Sequence, residues 1–348
     1  TGVSNEEFRS SLGDIANSNK VVGEDKGFRG IGRLCGLAYC DTLIFSTSYT
    51  GQPIKSIMKC NAKLMRKMLF SSEKYTLEEV WSNVVSFEQD EECEEKHYFK
   101  VELLNVGETH KDLLDEQTIV NYLQFVAPVA YDKKFYLKSK IYEYARSIGY
   151  NIDEYKILVN GKQLFKNYSS KLKEESGKNV INYDEIRDLE FQPFYNNEKE
   201  LVAWMWIGLC KFDKQIPKIN NMRGIRLRCA NIQIGDDETL QKRNLFKENR
   251  GNYYFIGEVF VVDKNLIPNS QRDYFNENEN RNIFENKLKE YFYNSLTVIY
   301  YKANEIKNAI KDQNNYYQKM KDYSEKVKNG SFVDKDEQEK MKFFIDQA

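Results

Sequence analysis

The residues best placed to do chemistry are three glycines, Gly27, Gly30 and Gly32, spaced Gly-x-x-Gly-x-Gly. Leu34, Cys35, Leu37, Ala38 and Tyr39 follow at once and read as a short, mostly apolar helix. Glycine allows positive φ and lets backbone N–H groups approach an anion closely. A helix that starts directly after such a turn aims the positive end of its dipole at the same anion. The turn could therefore hold a phosphate, or it could be a tight turn packed on a sheet. It is not a dinucleotide fingerprint, because a helix and a polar loop precede it in place of a strand, and the spacing is reversed. It is not a P-loop either, since no Gly-Lys-Ser/Thr follows. Arg29 and Arg33 flank Gly30 and Gly32; either they add charge-assisted contacts to phosphate or they face solvent.

Several elements must position this turn. Ser4 suits a helix N-cap, with Glu7 three residues on, ahead of Phe8, Leu12, Ile15 and Ala16 at helical spacing. A polar stretch from Asn17 to Lys26 leads to the glycines, and Leu43 to Tyr49 reads as a strand. Tyr98 to Asn105 is a second strand, and Asp112 to Val126 a helix ended by Pro128. The second half is strand-rich: Tyr155 to Phe165 as a hairpin turning at Asn160-Gly161, then Leu201 to Phe212, Gly224 to Ile234 and Tyr253 to Val262. Asn276 to Asn304 is helical, with Phe284, Leu288, Phe292, Leu296 and Ile299 on one face. Lys311 to Ala348 is lysine-rich with weaker periodicity.

Composition narrows the class. With 348 residues, 41% hydrophobic and 30% charged, the chain can bury sizeable cores in about two domains. A net charge of -1 gives no global basic field for nucleic acid. Cys35, Cys40, Cys60, Cys93, Cys210 and Cys229 contain no C-x-x-C pair, and His97 and His110 are the only histidines. No metal site is expected, and scattered thiols fit a reduced, cytoplasmic protein. No apolar run approaches a membrane span, and the start carries no signal peptide. Without an initiator methionine, the chain reads as a fragment.

The run from Thr1 through Leu12-Gly13-Asp14-Ile15-Ala16-Asn17-Ser18-Asn19-Lys20, then Gly27 to Leu34, resembles the nucleotide site of heat-shock-protein-90-type ATPases of the GHKL class (gyrase, heat-shock chaperone, histidine kinase, MutL). In that family an Asp-x-Gly-x-Gly box contacts adenine, and Gly2 corresponds to its end. Leu12 to Ser18 matches a Leu-Gly-x-Ile-Ala-x-Ser segment, and Gly27, Gly30 and Gly32 match the phosphate loop. The resemblance implies nucleotide contacts from Gly2, Asn19, Lys20, Gly27, Arg29, Gly30, Ile31 and Gly32. It also calls for a strand threonine that supports the adenine-binding Asp. Thr47 is the candidate, although no local motif fixes that alignment, and it reads equally as an ordinary strand threonine. Two features depart from the chaperones: six residues separate Lys20 from Gly27, a short lid, and Arg29 and Arg33 stand where uncharged residues are usual.

The likeness returns at Leu266-Ile267-Pro268-Asn269-Ser270-Gln271-Arg272-Asp273, after a strand with Phe255-Ile256-Gly257-Glu258-Val259. It resembles the middle-domain loop whose Asn and Arg approach the ATP γ-phosphate, which makes Asn269 and Arg272 catalytic candidates. A turn built on Pro268-Asn269 with a surface arginine is the plainer alternative. Arg226 and Arg228 share one face of their strand, expected as a solvated basic face, with a polyanion or client contact as the sharper reading. Glu88 to Glu95 reads as a solvated acidic loop, and Met58, Met65 and Met68 as core packing ahead of a plastic binding surface.

The fold expected is therefore α/β: the C-terminal part of an incomplete two-layer GHKL sandwich over 1–130, a transducer-like α/β middle domain over 131–305, and a helical extension over 306–348. The resemblance implies ATP and Mg2+, hydrolysis by an activated water, and a homodimer acting on a client protein as a chaperone-like clamp. The alternative is a MutL- or MORC-like ATPase acting on nucleic acid. The catalytic Glu and the Mg2+-binding Asn are expected on a preceding helix.

Overall fold

The computed structural model describes residues 2–14 and 32–347. They fall into two units. One holds the chain up to Leu123 together with Leu158–Leu164; the other holds Gln124–Ile157 and the chain from Phe165 on. Both mix helices with largely antiparallel sheet, the α/β class read from the sequence.

In the first unit Ser4 caps helix α1 (Asn5–Gly13), its hydroxyl accepting from the Glu7 N–H. A 3-10 helix over Gly32–Ala38 feeds strand β1 (Cys40–Ser48). There follow β2 (Ile54–Asn61), α2 (Ala62–Leu69), α3 (Leu77–Val84), β3 (Val85–Glu91) and β4 (Tyr98–Val106). The sheet runs β3-β2-β1-β4, antiparallel throughout. Leu43 and Phe45 of β1 and Met58 and Cys60 of β2 pack with Phe8 and Leu12 of α1 and with Leu37. Met58 is thus core, and Met65 packs against that core half-buried.

The acidic run is not all loop. Its first part is β3, an edge strand tied to β2 by Lys55–Asp90 at 3.3 Å and Lys59–Glu88 at 2.5 Å. An edge strand keeps one flank in water and so tolerates such charge. Helix α4 (Glu116–Val126) follows a 3-10 helix over Glu108–Leu114. A small hairpin, β5 (Leu158–Val159) and β6 (Lys162–Gln163), turns at Asn160 (φ 47°) and Gly161 (φ 80°). Two successive positive φ values are what a type I′ turn requires.

The second unit contains helix α5 (Lys138–Ser147), the hairpin β7 (Lys171–Ser176) and β8 (Asn179–Glu185), and a five-stranded sheet. Its strands are β9 (Asp188–Tyr195), β10 (Leu201–Leu209), β11 (Gly224–Cys229), β12 (Ile232–Ile234) and β13 (Ile256–Val261). They lie in the order β12-β11-β13-β10-β9, with β11 parallel to β13 and the other pairs antiparallel. The segment Gly224–Ile234 is two strands, not one. Ala230 (φ 49°) and Asn231 (φ 61°) make the turn between them, and alanine carries no turn signal in sequence.

Helices α6 (Thr239–Lys242), α7 (Glu279–Tyr291), α8 (Thr297–Asn329) and α9 (Lys335–Gln347) complete the unit. Both faces of the large sheet are covered. Met205, Ile207, Ile225, Leu227 and Val259 pack with Phe284, Leu288, Phe292 and Leu296, while Trp204, Trp206, Ile256 and Phe260 pack with Tyr131, Phe135, Ile141 and Tyr168. Tyr300, not Ile299, extends the buried helical row. Each step of four residues overshoots a 3.6-residue turn by about 40°. A π-turn at Phe292–Leu296 widens the helix and keeps the row on the sheet. Among the described residues no helix is long and apolar enough to cross a membrane.

Candidate functional site

Gly2 enters the first unit against the end of β1. A Cβ there would sit 2.0 Å from the Ser48 carbonyl oxygen, so only glycine fits this approach of backbone to backbone. The next N–H, of Val3, donates to Thr47 Oγ1 at 2.8 Å, and that hydroxyl donates to the Tyr98 carbonyl at 2.9 Å. Thr47 is 1% exposed. Its hydroxyl thus joins the chain after Gly2 to both β1 and β4, a task no apolar strand residue could do. Asn5 extends the seam: its N–H donates to Gln52 Oε1 at 2.9 Å, and its Oδ1 accepts from Ser56 Oγ at 2.8 Å. The entry to α1 is therefore fixed by side chains of β1, β2 and their turn. A cleft of about 200 Å³ between α1 and β2–β3, lined by Asn5, Phe8, Arg9, Ser56 and Phe87, is too small for a nucleotide.

Asn19, Lys20, Gly27, Arg29, Gly30 and Ile31 lie outside the described residues; the two flanks of that segment do not. Gly32 opens the 3-10 helix, which is wound tighter than an α-helix and starts two residues before the helix read from sequence. Arg33 does not simply face solvent: its Nη2 donates to the Asp14 carbonyl at 2.6 Å. Burial lowers its pKa against the opposing pull of Asp14. Trp81 Nε1 donates to the Gly13 carbonyl at 2.9 Å, so the last carbonyls of α1 are held by two side chains from later in the chain.

Asn269 and Arg272 belong to the second unit, in a turn closed by a Pro268–Phe275 bridge. The Asn269 N–H donates to the Tyr274 carbonyl at 2.9 Å, and its side chain to Asp273 Oδ1 at 2.5 Å. The Arg272 N–H donates to the Asn269 carbonyl at 3.2 Å, and its own carbonyl accepts from Gly235 at 2.8 Å. Arg272 is half-buried with φ 56°, a conformation that costs a non-glycine residue about 1 kcal/mol or more. Such strain recurs at functional turns, and it fits a loop whose shape matters. Asn269 Oδ1 is buried without a hydrogen-bond partner among the described residues.

The basic face read from β11 is not solvated. Arg226 is buried, stacked 4.2 Å over the Phe125 ring, and donates to Gln233 Oε1 at 3.0 Å and to the Asn221 carbonyl at 2.5 Å. Arg228, Glu258 and Lys166 are 0% exposed. Glu258 Oε1 accepts from Arg228 Nε at 2.6 Å and Tyr168 Oη at 3.2 Å. Its Oε2 accepts from Tyr131 Oη, from Trp206 Nε1 at 3.3 Å and from Lys166 Nζ at 3.4 Å. Arg228 also donates to the Phe125 carbonyl at 2.6 Å, and Lys166 to Asn231 Oδ1 at 2.7 Å. The reason is topological: β11 is an interior strand, and its arginine face points into the layer that carries Tyr131 and Tyr168.

Burial alone would raise the Glu258 pKa, but Arg228 and Lys166 outweigh it and hold it down to about 2. For Lys166, burial and then Arg228 outweigh Glu258 and bring the ammonium down to about 7. A carboxylate surrounded by five donors has no free lone pair for a substrate. The cluster locks β11 and β13 to the segment from Tyr131 to Tyr168. One signal could have found it: Glu258 is the only charge in an otherwise apolar strand, and a buried charge needs a partner.

No family model matches the chain, and no curated protein does. Among solved structures, the ATPase region of Saccharomyces cerevisiae topoisomerase II is similar at 11% identity and a TM-score of 0.37, covering 86% of this chain and 73% of that one. The same region bound to ICRF-187 (dexrazoxane) is similar at 12% identity and a TM-score of 0.37, with the same coverage. The ATPase and transducer domains of DNA topoisomerase II from Balamuthia mandrillaris are similar at 9% identity and a TM-score of 0.32, covering 87% and 72%. Scores this low do not establish a shared fold.

Proposed function

We propose that the chain is part of an ATPase of the GHKL class, its first unit holding the nucleotide and its second contributing a loop that acts on the phosphates. The observation that supports this most directly is the junction at Gly2. A glycine that must be a glycine is followed by an N–H held on a buried strand threonine, Thr47. Sequence offered Thr47 as the candidate for the supporting threonine and equally as an ordinary strand threonine; its bond to the N–H of Val3, directly after Gly2, supports the first reading.

The residues that would hold ATP are then Gly2 and Thr47 beside the base, and Asn19, Lys20, Gly27, Arg29, Gly30, Ile31 and Gly32 along the phosphates. Bound ATP, with Mg2+, supplies the phosphoryl group to be transferred to water. Asn269 and Arg272 would neutralise charge that develops on it. A homodimeric clamp on a client protein is preferred to one on nucleic acid. Among the described residues, the strand whose face invited a polyanion, β11, turns its arginines inward.

Saturation-transfer NMR with ATP tests the site. Residues 1–348 by themselves are expected to bind with Kd no tighter than roughly 1 mM, about -4 kcal/mol, because the resemblance assigns the adenine Asp and the Mg2+ ligand to no residue among them. Gly30→Val and Gly32→Val are expected to abolish the transfer. Micromolar affinity, no transfer at all, or transfer unchanged in both variants would refute the assignment. Retention of DNA by the chain at physiological salt would favour the MutL- or MORC-like alternative.

A further inference from the structure

Helix α8 runs far beyond the core that its first turns cover, and its exposed length has an order of its own. Ala303, Ile306, Ile310, Gln313, Tyr317, Met320, Ser324 and Val327 are spaced alternately three and four apart, the a and d positions of consecutive heptads. Ile306, Ile310, Tyr317 and Val327 are each more than half exposed, and Met320 more than a third. From Ile306 to Val327 the stripe is about 32 Å long. Helix α9 does not cover it. Phe344 of α9 packs under Lys319, the ring of Tyr323 meets Phe332, and Lys326 pairs with Glu337. Those contacts use the neighbouring g and c positions of α8.

Charge says what fits the stripe. Lys302, Lys307, Lys321 and Lys328 are the charged residues at the flanking e and g positions, and all four are exposed. The acids of α8, Glu305, Asp312, Asp322 and Glu325, fall at b, c and f, away from the seam. A second copy of this helix is a poor occupant. Paired in parallel it sets Lys302 against Lys307 of the other copy; paired antiparallel it sets e-position lysines against each other. We infer that the a/d stripe of α8 is a docking surface for an amphipathic helix of a partner protein whose seam is flanked by acidic residues. Such a helix would bury Ile306, Ile310, Tyr317, Met320 and Val327 and answer Lys307, Lys321 and Lys328 with carboxylates. The inference rests on the second unit alone and stands apart from the nucleotide reading.

The test uses the intact chain and two labelled four-heptad peptides, with leucine at a and d and either glutamate or lysine at every e and g. Like charges keep each peptide from pairing with itself. By fluorescence anisotropy the acidic peptide is expected to bind at least about tenfold more tightly than the basic one, and added salt is expected to weaken it. Ile310→Asp and Tyr317→Asp, both at exposed positions that the fold does not bury, should each cut its affinity about tenfold. The double variant Lys321→Glu, Lys328→Glu should narrow or reverse the preference between peptides, with circular dichroism confirming an unchanged fold. Failure of the acidic peptide to bind, equal binding of both peptides, or indifference to Ile310→Asp would overturn the proposal. So would sedimentation showing a dimer of the chain that Ile310→Asp dissociates.

Discussion

Replacing Lys166 with methionine isolates the most unusual group in the molecule. The lysine is wholly buried over the Tyr131 ring, at 4.3 Å, with Asn231 Oδ1 and Glu258 Oε2 as its polar partners. Its folded pKa of about 7 lies below the ordinary lysine value of 10.5. Between those values the unfolded chain holds a proton that the folded chain has lost. Unfolding then takes up a proton, so this group adds stability as pH rises through 7, and the gain is absent below it. From pH 7 to pH 9 the wild type should gain about 2 kcal/mol that Lys166→Met cannot. At pH 7 the two chains should differ by no more than about 1–2 kcal/mol. Asn231 Oδ1 loses its donor, which costs stability, while an ammonium no longer has to be desolvated, which restores it. Urea unfolding at pH 6, 7, 8 and 9, followed by the fluorescence of buried Trp204 and Trp206, gives the difference directly. Titrating groups away from this cluster cancel between the two chains, and Glu258, held down against its burial first by Arg228, stays ionised across this range. A difference that stays flat or shrinks from pH 7 to 9 refutes a lysine with a depressed pKa.

Substitutions at three further positions separate the roles assigned above. Thr47→Val keeps the shape but removes the hydroxyl that serves Val3 and Tyr98, and should cost the first unit about 1–3 kcal/mol in chemical denaturation; no loss would leave Gly2 unanchored by Thr47. Arg272→Ala, in a chain competent for hydrolysis, should lower kcat by on the order of 10–10³ while ATP Kd stays within about threefold. Arg272→Gly should lower the rate similarly but unfold no more easily than the wild type, because glycine relieves the positive φ; wild-type turnover in both would make the loop a mere turn. Arg226→Ala should cost about 1–3 kcal/mol through its lost bonds and stacking on Phe125, with Tm falling and no altered affinity for DNA; a stable variant with weaker DNA retention would restore the polyanion reading.

Local chemistry was legible wherever a residue type forces a backbone state or a period. Ser4 capped its helix, Asn160-Gly161 made its turn, and the β-branched and aromatic runs became β1, β4, β10 and β13. The misses share a different cause. Ala230 sits at positive φ because β11 and β12 must reverse there, not because alanine prefers it. The acidic residues after Val85 became a strand because β2 offered a free flank with lysines on it. The shift from Ile299 to Tyr300 depends on a π-turn, and no side-chain pattern announces one. In each case the deciding partner lies elsewhere in the chain.

The same argument explains why the two arginines of β11 were misread. In isolation, Arg226 and Arg228 alternating with Ile225 and Leu227 describe a sheet with one wet face. That reading holds only for a strand with solvent on one side. Here β13 lies parallel on one flank and β12 on the other, and the second face is roofed by Tyr131, Phe135 and Tyr168. A guanidinium in that position needs a polar partner: Arg226 finds Gln233 and the Asn221 carbonyl, while the register sets Glu258 opposite Arg226, within reach of Arg228 two residues on along the same face. Breaking such a pair is costed at about 3–5 kcal/mol, so the pairing of β11 with β13 is specified by charge as well as by apolar burial. A one-residue slip would turn Glu258 toward Met205 and Leu227 on the opposite face, leaving buried Arg228 and Lys166 without their counter-charge. The residues that looked most like a binding surface therefore act as the register key of the second unit's sheet.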